Sequence, residues 1–369
     1  MALPIPSVRA LEECADFATA VQPFIGQLYD LPARVLAVAT GNESFLKVYT
    51  ETNPVVSGFA FSLALAVVVL IVSEINRNYS QVDRLWSILP ALYIAHFDAW
   101  ARLAGISSKR IDAALVFSVA WAIRLTYNYA RKGGYKKGHE DYRWEIVRQN
   151  VPKFAFHLLN LTFISFIQSI LLFLITTPVY TILLASTIQP NLTSFDVAFV
   201  ATQFGLLLIE SIADEQQWVY QNAKKHFLAT NQVTRGFTQA DLERGFISSG
   251  LFGYSRHPNF AAEQSIWFVL YQWSAYATLT LYHWAGIGAS ALILLFQAST
   301  VLTESITAAK YAEYPIYQKR VGMFLPKRLF PYKPLSEIGK GTGKGGPKII
   351  KTSELAKKYG LKEEGKKQK

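Results

Sequence analysis

The chain is short of several things, and each shortage closes off a class of protein. It has one cysteine, Cys14, and two methionines in 369 residues. A lone cysteine excludes an internal disulfide framework and a cysteine-based metal site. Charged residues are only 17% of the sequence against 51% hydrophobic, and mean hydropathy is positive. Residues 1–50 carry no short charged-then-apolar signal peptide. No Walker loop, dinucleotide Gly-x-Gly-x-x-Gly fingerprint, HExxH pair or nucleophile elbow is present, so any nucleotide site is of a non-Rossmann kind.

What is there is apolar sequence in blocks of membrane-spanning length. Val55–Val72 carries no charge at all. Leu85–Leu103 is interrupted by Pro90, His96 and Asp98, Ile111–Ala130 contains Arg124, and Phe154–Thr187 is long enough for one tilted or kinked span. Val197–Ala213, Phe260–Leu281 and Ala285–Ile306 complete the set. The expected fold is therefore all-α, a multi-pass integral membrane helical bundle of about seven transmembrane helices. Residues 1–53 read as an N-terminal lumenal or peripheral segment with a few weakly amphipathic helical turns. Residues 54–332 read as the membrane domain, and 333–369 as a disordered basic cytosolic tail.

Charge orients the bundle. The loop from Arg131 to Lys153, the loop after Asp214 and the tail are rich in lysine and arginine, whereas Ile188–Phe195 has neither. That connection carries the sequon Asn191-Leu192-Thr193, usable only on the lumenal side. With seven spans this puts the N-terminus in the lumen and the C-terminus in the cytosol, although Arg102, Lys109 and Arg110 would then be lumenal. The ending Lys366-Lys367-Gln368-Lys369 resembles a dilysine retrieval signal of the endoplasmic reticulum, or is a plain basic tail. The net charge of +11 is that of loops lying near anionic headgroups, so the expected partners are a lipid bilayer and a hydrophobic small molecule, with no nucleic acid.

The densest signal is Gly250-Leu251-Phe252-Gly253-Tyr254-Ser255-Arg256-His257-Pro258-Asn259-Phe260, with Glu263 a turn later. His257 precedes a proline and is pushed towards extended geometry, while Pro258 suits the first position of a helix. Free N–H groups at that helix start, beside Arg256, would form an anion site. The alternative is an ordinary juxtamembrane loop with a basic flank. Asn259 and Glu263 share one helical face, and an acid one turn inside a membrane helix calls for a reason.

Other polar residues also resist a purely apolar account. Glu210, Asp214, Gln217 and Gln221 form a stripe on one helix, where Asp214 could accept from an amide, ribose or amine, or simply be solvated at the interface. Glu304 ends the last span, ahead of Lys310-Tyr311-Ala312-Glu313-Tyr314-Pro315-Ile316-Tyr317-Gln318-Lys319-Arg320. These residues could be an interfacial aromatic belt, or could cover a cofactor, with Tyr314 stacking or hydrogen-bonding and Arg320 neutralising a phosphate. Asp83 opens the second span. Arg124 should find a partner in Asp83 or Asp98, and Tyr127 could be a proton donor. The loop Arg131–Arg143 could fold over a site as a lid.

The segment from Gly250 to Phe260 with Glu263, and the pattern Lys310-Tyr311 through Tyr314-Pro315 to Arg320 followed by Phe324-Leu325-Pro326, resembles the steroid 5α-reductase superfamily. The likeness is greatest to relatives classed as a domain of unknown function. These are similar also at Val82-Asp83-Arg84-Leu85-Trp86-Ser87, Arg124-Leu125-Thr126-Tyr127, Gly133-Gly134-Tyr135 with Glu140-Asp141-Tyr142-Arg143-Trp144, and Ala213-Asp214-Glu215-Gln216-Gln217-Trp218. The resemblance covers roughly residues 55–330. It implies a seven-helix membrane reductase that uses NADPH on a carbon–carbon double bond conjugated to a carbonyl in a lipid- or steroid-like substrate. Carried over by position, Asp214, Asn259 and Glu263 would hold the cofactor, with Arg256, His257, Tyr314 and Arg320 around them. Asp83 and Tyr127 would be the catalytic pair, and no metal is implied.

The chain departs from that pattern at Glu210, where the better-known reductases have asparagine, and at Trp218 and Gln221, where they have arginines. Their further cofactor-binding arginine and tyrosine are also missing, and Glu304 lies in that region. Arg-His-Pro with a downstream glutamate and a tyrosine-rich ending also resembles integral-membrane methyltransferases of the isoprenylcysteine and phospholipid type. Those bind S-adenosylmethionine, whose cationic sulfur tolerates nearby acids. A non-catalytic membrane protein is the third reading.

Overall fold

The computed structural model describes residues 3–334. Among them the chain is all-helical, with one isolated bridge, Ser255–Gly322, and no strand. The tail from Gly339 and its dilysine ending lie outside the described residues.

After short helical turns the chain forms α1 (Gln27–Ala39), α2 (Phe45–Glu51), α3 (Pro54–Asn76), α4 (Gln81–Trp86), α5 (Leu89–Leu103), α6 (Lys109–Arg131) and α7 (Tyr142–Asn150). Then come α8 (Lys153–Ile188), α9 (Ser194–Thr230), α10 (Gln239–Arg244), α11 (Pro258–Ala277), α12 (Gly286–Lys310) and α13 (Tyr314–Arg320). The starts of these helices follow local chemistry. Asn53 accepts from the Val55 amide with Pro54 in the first turn of α3. Thr193 and Asp196 cap α9 reciprocally, Thr193 N–H donating to Asp196 at 2.6 Å and Asp196 N–H to the Thr193 hydroxyl at 3.2 Å.

Among the described residues four helices are long and apolar enough to cross a membrane: α3, α8, α9 and α12. The expectation of about seven is thus met by four. The other three expected spans are helical but differ in kind. Helix α5 has 15 residues, about 22 Å of rise, short of the ~30 Å hydrocarbon core. Helix α6 carries Lys109, Arg110, Asp112, Arg124 and Arg131, and α11 carries Gln264 and Gln272 among its aromatics. Only 33% of the apolar window of α3 is buried, with Phe61, Val68, Ile71 and Ile75 all exposed. Such a surface suits lipid rather than water as solvent.

The described chain groups into two compact units. The first comprises the residues up to Leu207 with Gln264–Ile293, and the second Leu208–Glu263 with the residues from Leu294 onward. In the first, aromatic rings of Tyr93, Phe97, Phe173 and Tyr180 pack together, and Trp121 meets Trp267 edge-on at 5.1 Å. The N-terminal segment belongs to this packing: Cys14 and Ala20 are fully buried, and the Tyr180 hydroxyl donates to the Ala20 carbonyl. Arg110 is 2% exposed and donates to Asp196 at 2.9 Å and to the carbonyls of Gln189 and Asn191. Helix α8 loosens into a π-helical stretch at Asn160–Ile167, where Asn160 donates to Glu74 at 2.7 Å, and breaks again before Pro178.

In the second unit, Ala213, Tyr220, Ala223 and Phe227 of α9 pack on Leu242, Ile247 and Phe252. A separate cluster joins Phe246 to Tyr314, Tyr317 and Val321.

Candidate functional site

In the second unit, α11 starts at Pro258, and the two residues before it are pinned by backbone. Arg256 N–H donates to the Gly322 carbonyl at 2.9 Å and His257 N–H to that of Met323 at 3.0 Å. The chain can fold this tightly because residue 322 is glycine: a Cβ there would collide with the Leu325 carbonyl.

Arg256 is buried and bidentate to Glu304, at 2.5 and 2.8 Å. Its remaining nitrogen donates to the carbonyls of Gln318, at 2.9 Å, and Val321. Glu304 also receives the His257 imidazole at 2.9 Å, the Tyr314 hydroxyl at 3.2 Å and the Gln318 amide at 2.9 Å. Burial and the Glu304 carboxylate push the Tyr314 hydroxyl up, which keeps it a proton donor. Arg256, His257 and Tyr314, three residues expected around a cofactor, are thus gathered on Glu304. The anion held by Arg256 at this helix start is the chain's own carboxylate, four dozen residues away in sequence.

A second polar group stands on α9 and α11. The Asn259 amide donates to Asp214 at 3.0 Å. Glu210, Asp214 and Glu263 are 4, 8 and 5% exposed. Gln217, one turn along from Asp214, has a buried carbonyl oxygen with no hydrogen-bond partner among the described residues. Gln216 accepts from the Leu251 amide at 3.0 Å and so ties the Gly250–Phe252 turn to α9. Asp214 and Asn259, expected together, are brought together. Chemically the group offers acceptors for amide, amine or hydroxyl donors. Arg320 lines a surface cavity whose lining includes none of these residues.

In the first unit, Asp83 accepts from the Trp144 indole at 3.1 Å, and burial pushes its carboxyl above the ordinary carboxylate range despite the Ser80 and Trp144 hydrogen bonds. Asp98, one of the two partners expected for Arg124, is paired with Arg102 at 2.8 Å instead. Tyr127, the expected catalytic tyrosine, is 62% exposed with the Arg131 guanidinium over its ring, and it shares no hydrogen bond with Asp83. The tyrosine in the surroundings of Asp83 is Tyr129. After burial itself, the Asp83 carboxylate is the strongest electrostatic influence on its hydroxyl. That hydroxyl and the His139 Nδ1 are buried with no hydrogen-bond partner among the described residues.

The segment expected to be a lid does cover Tyr129. Gly134 lies so close to the Tyr129 ring that a Cβ would overlap it, and Tyr135 and His139 meet the ring edge-on. The cover is fastened: the His139 carbonyl accepts from Asn78 at 2.9 Å and Arg84 at 2.6 Å, and Glu140 accepts from the Tyr79 amide at 2.8 Å. Sequence reasoning singled out Tyr127 and passed over Tyr129 and His139; Tyr127 and Tyr129 stand about 200° apart on a helix, and which of the two faces Asp83 is not a local property. Gln217 was visible only as a member of the polar stripe. Among the described residues no group of three His, Cys, Asp or Glu side chains is placed to hold a metal.

An uncharacterised protein of Schizosaccharomyces pombe is 37% identical over 329 residues, covering 89% of this chain and 94% of its own. No solved structure matches the chain. Residues 69–321, which include α9 and α11–α13, match a family described as a protein of unknown function, DUF1295. Both polar groups, the Glu304 knot and the Asp83 surroundings therefore fall inside a matched domain, and the chain belongs to the DUF1295 family.

Proposed function

We propose that the chain is a membrane reductase that uses NADPH to reduce a carbon–carbon double bond conjugated to a carbonyl in a lipid- or steroid-like substrate. The observation that carries this reading is the buried Asn259–Asp214 contact with the unpartnered Gln217 oxygen one turn away. A carboxylate, an amide and an open acceptor fit the carboxamide and ribose of a nucleotide, whose N–H and O–H groups would satisfy them. Asp214, Asn259 and Glu263 would hold the cofactor, which when bound supplies the hydride.

The phosphates fit less well. Arg256 is neutralised by Glu304, so their counter-charge has to come from elsewhere in the chain. Arg256, His257 and Tyr314 act on this reading as positioning residues, holding the turn that delivers Asn259. In the first unit Tyr129, rather than Tyr127, is the proton donor. Its hydroxyl, which has no hydrogen-bond partner among the described residues, is placed to hydrogen-bond a substrate carbonyl oxygen as negative charge develops there, with the Asp83 carboxyl in support. The apolar helices would admit a lipid-soluble substrate and keep water out.

One observation favours a second reading, an S-adenosylmethionine-dependent methyltransferase. Three acidic side chains, Glu210, Asp214 and Glu263, are buried in the second unit, and acids near the site are compatible with a cationic sulfonium. Thermal stabilisation of the detergent-solubilised chain by NADPH, NADH and S-adenosylmethionine separates the two. Protection by NADPH supports the reductase; protection by the methyl donor alone overturns it, and no response to any favours a non-catalytic protein. The same reading expects a multi-pass protein of the endoplasmic reticulum with a cytosolic C-terminus. Labelling of the tail from the lumenal side would exclude that.

A further inference from the structure

Beyond α13 the chain does something the membrane helices do not require. Residues 321–333 run back along the Gly253–His257 turn, held by the Ser255–Gly322 bridge and by a hydrogen bond of 2.9 Å from Tyr332 N–H to the Gly253 carbonyl. The Tyr332 hydroxyl donates to Glu313 at 3.0 Å, and its ring meets Tyr317 at 5.1 Å. A fixed return of this kind encloses a cavity of about 360 Å³. Four cations line it, Arg320, Lys327, Arg328 and Lys333, with Tyr254 and Tyr332 beside them. No carboxylate among the described residues lines it.

The same loop exposes large apolar side chains next to those cations. Leu325 is 77%, Leu329 91% and Phe330 80% exposed. In water three such side chains on one short loop are a liability. At a bilayer surface they are an anchor, with apolar groups among the acyl chains and cations at the level of the phosphates. The loop follows α12, a candidate membrane span, and α13 directly in the chain, so a bilayer edge is close in sequence.

We propose that this cavity is a binding site for the phosphate headgroup of an anionic phospholipid, with Leu325, Leu329 and Phe330 seated in the acyl layer. Arg320 and Arg328 offer paired N–H donors to phosphate oxygens, and Lys327 and Lys333 add point charges. The inference does not rest on the reductase reading, since none of its residues except Arg320 enters that reading and the ligand differs. The chemistry recognised is a phosphate monoanion or dianion, which a soluble phosphate compound also carries. The apolar fringe of the cavity selects the lipid.

The test uses the full chain with Leu329→Cys carrying a bimane label, reconstituted in nanodiscs; Cys14 is fully buried and not expected to react. Quenching is compared for dibrominated phosphatidic acid and dibrominated phosphatidylcholine, each titrated into unlabelled phosphatidylcholine. The expected result is quenching by the anionic lipid at a mole fraction lower by on the order of ten-fold. That preference should shrink as salt is raised and vanish in Arg320→Gln/Lys327→Gln/Arg328→Gln/Lys333→Gln, whose melting temperature should stay unchanged. Equal quenching by both lipids, no quenching by either, or survival of the preference in the four-fold variant would overturn the proposal. So would abolition of the preference by millimolar glycerol 3-phosphate or NADPH, which would give the cavity to a soluble phosphate.

Discussion

Arg110 and Arg256 are each buried against a carboxylate, and they differ in what else the carboxylate holds. Arg110 and Asp196 stand at the starts of α6 and α9 in the first unit. Asp196 takes Arg110, the Trp273 indole and the Thr193 amide and hydroxyl. Arg256 and Glu304 are in the second unit, and Glu304 takes five hydrogen bonds from Arg256, His257, Tyr314 and Gln318. In both, spare guanidinium donors go to backbone carbonyls. The first is a brace: it caps one helix and fixes the start of another. The second joins two sequence motifs, and three residues past Arg256 stands Asn259. The same ion-pair chemistry serves stability in one place and alignment of a polar cluster in the other.

The strongest way to break that contrast is to remove each carboxylate. Asp196→Ala and Glu304→Ala each leave a buried guanidinium uncompensated and should cost about 3–5 kcal/mol, measured by pulse proteolysis in detergent. Replacing both members by apolar residues separates them. Arg110→Met/Asp196→Leu should recover stability to within about 1 kcal/mol. Arg256→Met/Glu304→Leu should recover stability but not protection by NADPH. Equal recovery of both properties in the second pair would remove the distinction.

Tyr129→Phe deletes a hydroxyl that has no hydrogen-bond partner among the described residues, so stability should hold or rise slightly while turnover of an enone lipid falls about 10²- to 10⁴-fold. Tyr127→Phe should leave turnover within about two-fold, because surface substitutions rarely matter more. The reverse ranking would restore Tyr127. Asp214→Asn should weaken NADPH protection about ten- to hundred-fold, the worth of a hydrogen bond to a charged group, with little change in melting.

The smallest effect concerns α10, whose start is a capping box between Thr238 and Asp241. Burial alone would raise the Asp241 carboxyl, but hydrogen bonds from Thr238 and Arg244 outweigh it and hold the group below its ordinary value. Its stabilisation is therefore complete above the ordinary carboxylate range and is lost as pH falls through the lower folded value. Thr238→Ala should cost about 1 kcal/mol at neutral pH and flatten the acid limb of the stability profile.

Much of this was legible in the sequence, for stated reasons. His257-Pro258 marks a helix start because proline fixes one side and restricts the other, and α11 begins there. The Glu210–Gln217 stripe follows from helical period, and Asp214 does meet Asn259. The partner of Arg256 was not legible, because Glu304 is remote in sequence and nothing local distinguishes an internal anion from an external one. Nor was the span count. Helices α5, α6 and α11 read as apolar blocks, yet length and embedded charge set them apart from α3. Tyr129 was missed because it stands two residues beyond Tyr127, on the opposite face of the same helix, and facing is a tertiary fact. The cations from Lys327 to Lys333 form a cavity only because Gly322 lets the chain turn back.

The Ser255–Gly322 bridge has a consequence for biosynthesis. Arg256, His257 and Glu304 leave the ribosome well before Gln318, Gly322 and Met323, so for an interval the guanidinium and two backbone amides are without their carbonyls. A nascent chain cut short there would expose those donors, together with Glu304, to whatever surveys the membrane for incomplete products. Closure of the turn that presents Asn259 therefore waits on the arrival of Gln318, Gly322 and Met323.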